Sequence, residues 1–159
     1  MKSILPALAV LFASTIAFAV PPAAVRVTAA YSHPTPAPGV PGVGFFTLTN
    51  TGKQADRLLS AESPAAGRIE IHQTRMEKGV MQMRGVPEGV ALPAGQAVAF
   101  APGGLHLMLF ALRAPLREGE KVPLTLVFER QGRVSTELLV KPREDAAAAA
   151  DDHAHHDHH

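Results

Sequence analysis

The sequence predicts an all-β fold, an antiparallel sandwich or small barrel in a single domain, and three observations predict it. Apolar and polar residues alternate with a period of two, and β-branched residues are frequent in the alternating stretches. Gly, Pro and Asn punctuate the chain about every ten residues, as turns between short strands do. No segment carries a sustained helical stripe, and 159 residues with an apolar fraction of 47% can bury one real core.

The first element is not part of that domain. Lys2 precedes the apolar stretch "ILPALAVLFASTIAFA", which ends in Ala17-Phe18-Ala19. A charged start, a short apolar run and a small-x-small ending predict a secretory signal peptide over 1–19, cleaved after Ala19, rather than a membrane anchor. No Cys stands at that junction to carry a lipid, and no later apolar run is long enough to span a bilayer. The mature chain is therefore expected in the periplasm, without a transmembrane anchor.

The domain itself is expected over 20–143, with strands near 24–32 ("AVRVTAAYS"), 43–49, 56–62, 68–74 ("RIEIHQT"), 79–84, 96–101, 105–111, 121–130 and 133–140. "TNTG" at 49–52 and "RQGR" at 130–133 read as hairpin turns, and "APGG" at 101–104 as a tight loop. "HPTPAPGVPG" at 33–42 has too many prolines for a central strand and reads as an extended connection; "GVPEGVALPAG" at 85–95 reads as a turn region. From Glu144 an alanine run leads into "DDHAHHDHH", a tail over 144–159 with nothing to bury and expected to be disordered.

Charge and cysteine content exclude several functions. Lys plus Arg is 15, or 14 once Lys2 is removed with the signal, against 14 Asp plus Glu. A near-neutral chain has no basic stripe with which to bind nucleic acid. The absence of Cys rules out a blue-copper electron carrier, whose site needs a thiolate beside two imidazoles. Ser60, Ser63 and Ser135 lie in no nucleophile motif and no acidic pair is suitably spaced, so catalysis is not expected.

Chemistry concentrates in residues 72–108. In "LHLMLF", alternation points Leu105, Leu107 and Leu109 to the core and brings His106, Met108 and Phe110 out on the other face. In "RIEIHQ" it puts Ile69 and Ile71 inward and Glu70 and His72 outward, and in "GVMQMRG" Met81 and Met83 share a face. Only three histidines lie in the body of the mature chain, and two of them accompany all four of its methionines, Met76, Met81, Met83 and Met108. Imidazole and thioether together suit copper and, through the soft sulfur, Cu(I). The competing explanation is that the methionines fill gaps in the core and the histidines are hydrogen-bonded structural residues of an interaction or adhesion module. His33, in the proline-rich connection, is expected to be structural or simply exposed.

The run "IHQTRMEKGVMQMRGVPEGVALPAGQAVAFAPGGLHLML" closely resembles the PCu(A)C-type periplasmic copper(I) chaperones, whose signature is His, ten residues, Met, about twenty-one residues, then His-x-Met. Here His72 is followed by ten residues and Met83, then by twenty-two residues and His106-Leu107-Met108. "MRGV", "LPAG", "PGGLHLML" and "FFTLTNTG" also match the family's wording, and the resemblance covers roughly 25–141. It implies a cupredoxin-like β-sandwich that binds one Cu(I) through His72, Met83, His106 and Met108 near the surface. It also implies a monomer that delivers copper to the Cu(A) subunit of cytochrome c oxidase or to another copper chaperone; general periplasmic copper storage or resistance is the alternative role. Met76 and Met81 are expected to be packing or secondary contacts. In the tail, His153, His155, His156, His158 and His159 with their Asp neighbours suit Cu(II), so a flexible secondary site is expected there. Imidazole binds metal only when neutral, so copper affinity should fall as the pH drops through the imidazole range.

Overall fold

Alternation becomes layering most plainly in Lys121–Phe128, where Val122, Leu124, Leu126 and Phe128 are all buried and the residues between them are more exposed. The computed structural model describes residues 24–143, and the expected signal segment and His-rich tail lie outside them. Ten strands follow one another: β1 (Val25–Ser32), β2 (Gly42–Asn50), β3 (Asp56–Glu62), β4 (Ala66–Glu77), β5 (Val80–Gly85), β6 (Val90–Leu92), β7 (Ala97–Phe100), β8 (Leu105–Leu112), β9 (Lys121–Phe128) and β10 (Gly132–Val140). No helix of the described residues is long and apolar enough to cross a membrane.

The strands form one hydrogen-bonded series, β5-β4-β8-β7-β2-β1-β10-β9-β3-β6, with β8 also pairing β2. Residues from both halves of the series meet in a single core. Leu107 and Leu109 of β8 and Phe46 and Leu48 of β2 share one cluster with Leu58 of β3, Leu124 and Leu126 of β9 and Leu138 of β10. The sheet therefore closes over itself as a sandwich. The packing is tight at Gly44, where a Cβ would stand 3.1 Å from Leu138 of β10 and 3.3 Å from Leu107 of β8.

The all-β class and the cupredoxin-like sandwich agree with expectation, and four details differ. The pairing is not purely antiparallel, because β1–β10 and β7–β8 run parallel. Alternation reports which face of a strand is buried, not which way its neighbour runs. "TNTG" is not a hairpin turn: β2 pairs with β1, β7 and β8, whereas β3 pairs with β6 and β9, so this segment carries the chain between the two halves. Buried Asn50 pins that crossing by donating from Nδ2 to the carbonyls of Gln54 and Leu92 and accepting the Gly52 N–H on Oδ1. The stretch 85–95 is more than a turn, since it contains β6, a strand of three residues and too short to show alternation. Finally, His106 does not emerge on the surface; it is only 5% exposed.

The functional residues sit on β5, β4 and β8, the first three strands of the series. β4 and β5 form a hairpin closed by Lys78 and Gly79, both at positive φ (50° and 80°), the geometry of a two-residue turn matched to the strand twist. Every residue of β5 is exposed.

Candidate metal centre

In the β4–β8 register His72 lies directly opposite His106, and Glu70 lies directly opposite Met108. Opposed residues project from the same face of a sheet, so these four side chains share the outer face. The core lies on the other side, where Ile71, Leu107 and Leu109 are buried. On the far side of β4, Thr74 pairs with Met83 and Met76 with Met81, which puts Met76, Met81 and Met83 on the His72 face as well.

The two imidazoles have ring centroids 5.9 Å apart. His106 Nδ1 lies 3.0 Å from the Gly104 carbonyl oxygen. A carbonyl can only accept, so Nδ1 carries the proton, and Nε2 of the neutral ring keeps its lone pair. His72 Nε2 lies 2.9 Å from Glu70 Oε2 and donates to that carboxylate, which leaves the lone pair on Nδ1. That Nδ1 is buried and has no hydrogen-bond partner. A buried nitrogen with an unused lone pair is costly in a protein that binds nothing there, and is what a metal ligand requires.

Glu70 is itself held at both oxygens, because Oε1 takes a 2.7 Å ion pair from Arg68 Nε. Arg68 in turn lies over the Phe110 ring, with Cζ 4.6 Å from the centroid. The hydrogen bond from His72 is the main reason the Glu70 carboxyl titrates below the usual carboxylate range; partial desolvation opposes it and the Arg68 charge adds to it. On the other flank Phe45, almost fully buried, stands 6.5 Å from the His106 ring and walls off that side of the site. Met108 lies between Glu70 on β4 and Val43 on β2, half-buried.

The expected ligands therefore fall into two groups. His72, His106 and Met108 are brought together on adjacent strands. Met83 shares their face on the third strand but is 55% exposed and sits diagonally from His72, at the level of Thr74. Met83 and Met108 are four β4 positions apart, about 13 Å along the strand. The two imidazoles and Met108 are neighbours on adjacent strands, and the exposed, unbranched side chain of Met83 is free to change rotamer. Among the described residues no three His, Cys, Asp or Glu groups cluster as a metal site. The face presents two imidazoles and the Met108 thioether beside the Glu70 carboxylate.

His33 proves structural: Nδ1 donates to the Lys141 carbonyl at 2.9 Å, and its ring meets Tyr31 and Phe45. Glu70 was legible only as a neighbour on the His72 face. The available signal was its place two residues before His72 in a strand, which puts a carboxylate within reach of the ring.

A family model described as "Putative lipoprotein LpqE-like" matches residues 25–140. The chain belongs to that family, which is of the PCu(A)C type. Among curated relatives, "Putative lipoprotein Lxx21020" of Leifsonia xyli subsp. xyli is 35% identical over 105 residues, 66% of this chain and 61% of that protein. "Uncharacterized protein RP573" of Rickettsia prowazekii is 34% identical over 85 residues, 54% of this chain and 47% of that protein. The chain thus matches less than two thirds of the length of either relative. Among solved structures, apo-DR1885 from Deinococcus radiodurans superposes with a TM-score of 0.59 at 26% identity, covering 91% of this chain and 99% of that one. Its Cu(I) form gives 0.57 at 28% identity, covering 74% and 80%. A copper-bound PCuAC domain from PmoF2 gives 0.62 at 21% identity, covering 76% and 94%, and shows the shared fold.

Proposed function

We propose that this protein is an exported copper chaperone that holds one Cu(I) through His72, Met83, His106 and Met108 and passes it on. The observation that carries this is the pair of opposed imidazoles, each fixed by its own hydrogen-bond acceptor so that one lone pair remains, beside thioethers on the same face. The copper-bound and Cu(I)-bound neighbours of the same fold support it.

The chemistry suits a carrier better than a store. Two neutral imidazoles and two neutral thioethers hold Cu(I) without a thiolate, so an acceptor offering cysteines can take the ion downhill. The acceptor proposed is the Cu(A) subunit of cytochrome c oxidase, directly or through another copper chaperone, in the periplasm. The copper is cargo, and each side chain's task is to bind, to release, or to orient a ligand. Met83, on an exposed edge strand, is the ligand an incoming acceptor reaches first. The core-filler alternative does not suit Met76, Met81 and Met83, which are 66%, 61% and 55% exposed. The histidine tail is proposed as a secondary Cu(II) site.

An anaerobic competition titration against a Cu(I) chelator tests the proposal. Wild type should bind one Cu(I) tightly, and Met83→Ala and His106→Ala should each lose that binding. Equal affinity in all three would overturn it.

A further inference from the structure

The β4–β5 hairpin has two chemically distinct faces. Gln73, Arg75, Glu77, Gln82 and Arg84 line one of them and bond to each other there: Arg84 reaches Glu77 at 3.2 Å and Gln82 at 3.1 Å, and Arg75 reaches Gln73 at 2.9 Å. The opposite face carries Thr74 and three methionines, Met76, Met81 and Met83. All three sulfur side chains are more than half exposed. Burial does not account for three large apolar side chains on one exposed two-stranded ribbon.

Register sets these methionines side by side. The two-residue turn at Lys78-Gly79 makes Glu77 and Val80 the hydrogen-bonded pair, so Met76 and Met81 form the next, non-hydrogen-bonded pair. Side chains in such a pair lie closest, with Cα atoms about 4.5 Å apart. The same alternation explains why the Thr74 N–H, opposite Met83, turns away from β5 to the Gly104 carbonyl. Met83 follows Met81 by two residues on the same face and lies diagonal to Met76.

We propose that Met76, Met81 and Met83 form a second metal site, a thioether-only capture site for Cu(I) at the hairpin tip that shares Met83 with the histidine centre. It rests on the copper-carrier proposal for its purpose, although its donor chemistry stands alone. Three neutral soft sulfurs with no carboxylate or imidazole among them select a soft monovalent ion and reject Zn(II) and Cu(II). Transfer inward is ligand exchange: the Met76 and Met81 sulfurs leave, His72 and His106 nitrogens arrive, Met83 stays bound, and copper remains Cu(I) with no proton or electron moved. The methionines at the tip are exposed, whereas His106 at the base is buried and His72 and Met108 are half-buried, so the ion moves from the surface inward.

Substitution separates the two sites, because His72→Ala/His106→Ala removes both imidazoles of the histidine centre and leaves the three hairpin methionines in place. Full-length mature protein carrying those two substitutions is titrated at neutral pH with Ag(I), a redox-inert soft cation, while the methionine methyl resonances are followed by NMR. The first Ag(I) should shift Met76, Met81 and Met83 but not Met108. Adding Met76→Leu/Met81→Leu should abolish those shifts, and an unchanged backbone spectrum would show that the fold is intact; in the otherwise wild-type protein the same pair should keep His106-dependent binding. Hairpin shifts that are absent, unchanged by Met76→Leu/Met81→Leu, or centred on Met108 overturn the capture site while leaving the histidine centre standing. Absence of His106-dependent binding from the wild-type protein overturns the carrier proposal instead.

Discussion

Replacing Glu70 with Ala tests which nitrogen of His72 faces the metal. Glu70 Oε2 accepts from His72 Nε2 at 2.9 Å, and Arg68 anchors the other carboxylate oxygen at 2.7 Å. Without that acceptor, nothing holds the proton on Nε2 or the lone pair on Nδ1, and the ring is free to turn. Partners of this kind are typically worth 10–100-fold in metal affinity, and because the Glu70 side chain is 41% exposed, water replaces part of its effect. The expected loss is therefore near the lower end, about tenfold in Cu(I) affinity. Glu70→Gln, which keeps an acceptor but not the charge, should lose less. The assay is chelator competition at neutral pH, with thermal unfolding of the apo protein as the control for fold. Unchanged affinity would refute the orienting role, and increased affinity would show that copper takes Nε2 and that Glu70 competes for it.

Three further outcomes are expected. Leu107→Ala, at a fully buried position between His106 and Met108, should cost about 2–5 kcal/mol in chemical denaturation; a near-neutral result would contradict the placement of that face in the core. Glu62, through its hydrogen bond and ion pair with Arg133, and Glu70, through His72, both titrate below the ordinary carboxylate value. Carboxyls lowered in the folded state add stability that is complete above the unfolded value and is lost as pH falls through the folded one, so stability should decline on acidification and Glu62→Gln should flatten that decline. Deleting 151–159 should reduce Cu(II) binding and leave Cu(I) affinity unchanged, as equilibrium dialysis can show; retained Cu(II) capacity would remove the tail from the account.

Much of the fold was legible because strands with one buried face write their period into the sequence, as Val122 to Phe128 and "RIEIHQ" do. The grouping of His72, His106 and Met108 was legible for the same reason: parity placed each on the outer face of its strand, and register on adjacent strands made it a shared one. What parity cannot carry is strand direction, so the parallel β1–β10 seam went unseen, as did the passage of "TNTG" between halves. Nor can it report cover from other strands: His106 points away from the core yet is buried, because Phe45 from β2 lies against it. The two strands of the hairpin were legible, but not which of their faces is buried: β5 is exposed on both, so its alternation of methionine with Gln and Arg records two surfaces rather than an inside and an outside.

The most direct test of the central claim is X-ray absorption at the copper edge of the Cu(I)-loaded mature protein at one equivalent. The account predicts a mixed shell of two imidazole nitrogens and two thioether sulfurs, with the nitrogen scattering lost in His106→Ala. A shell of sulfur alone, or one unchanged by His106→Ala, would contradict it.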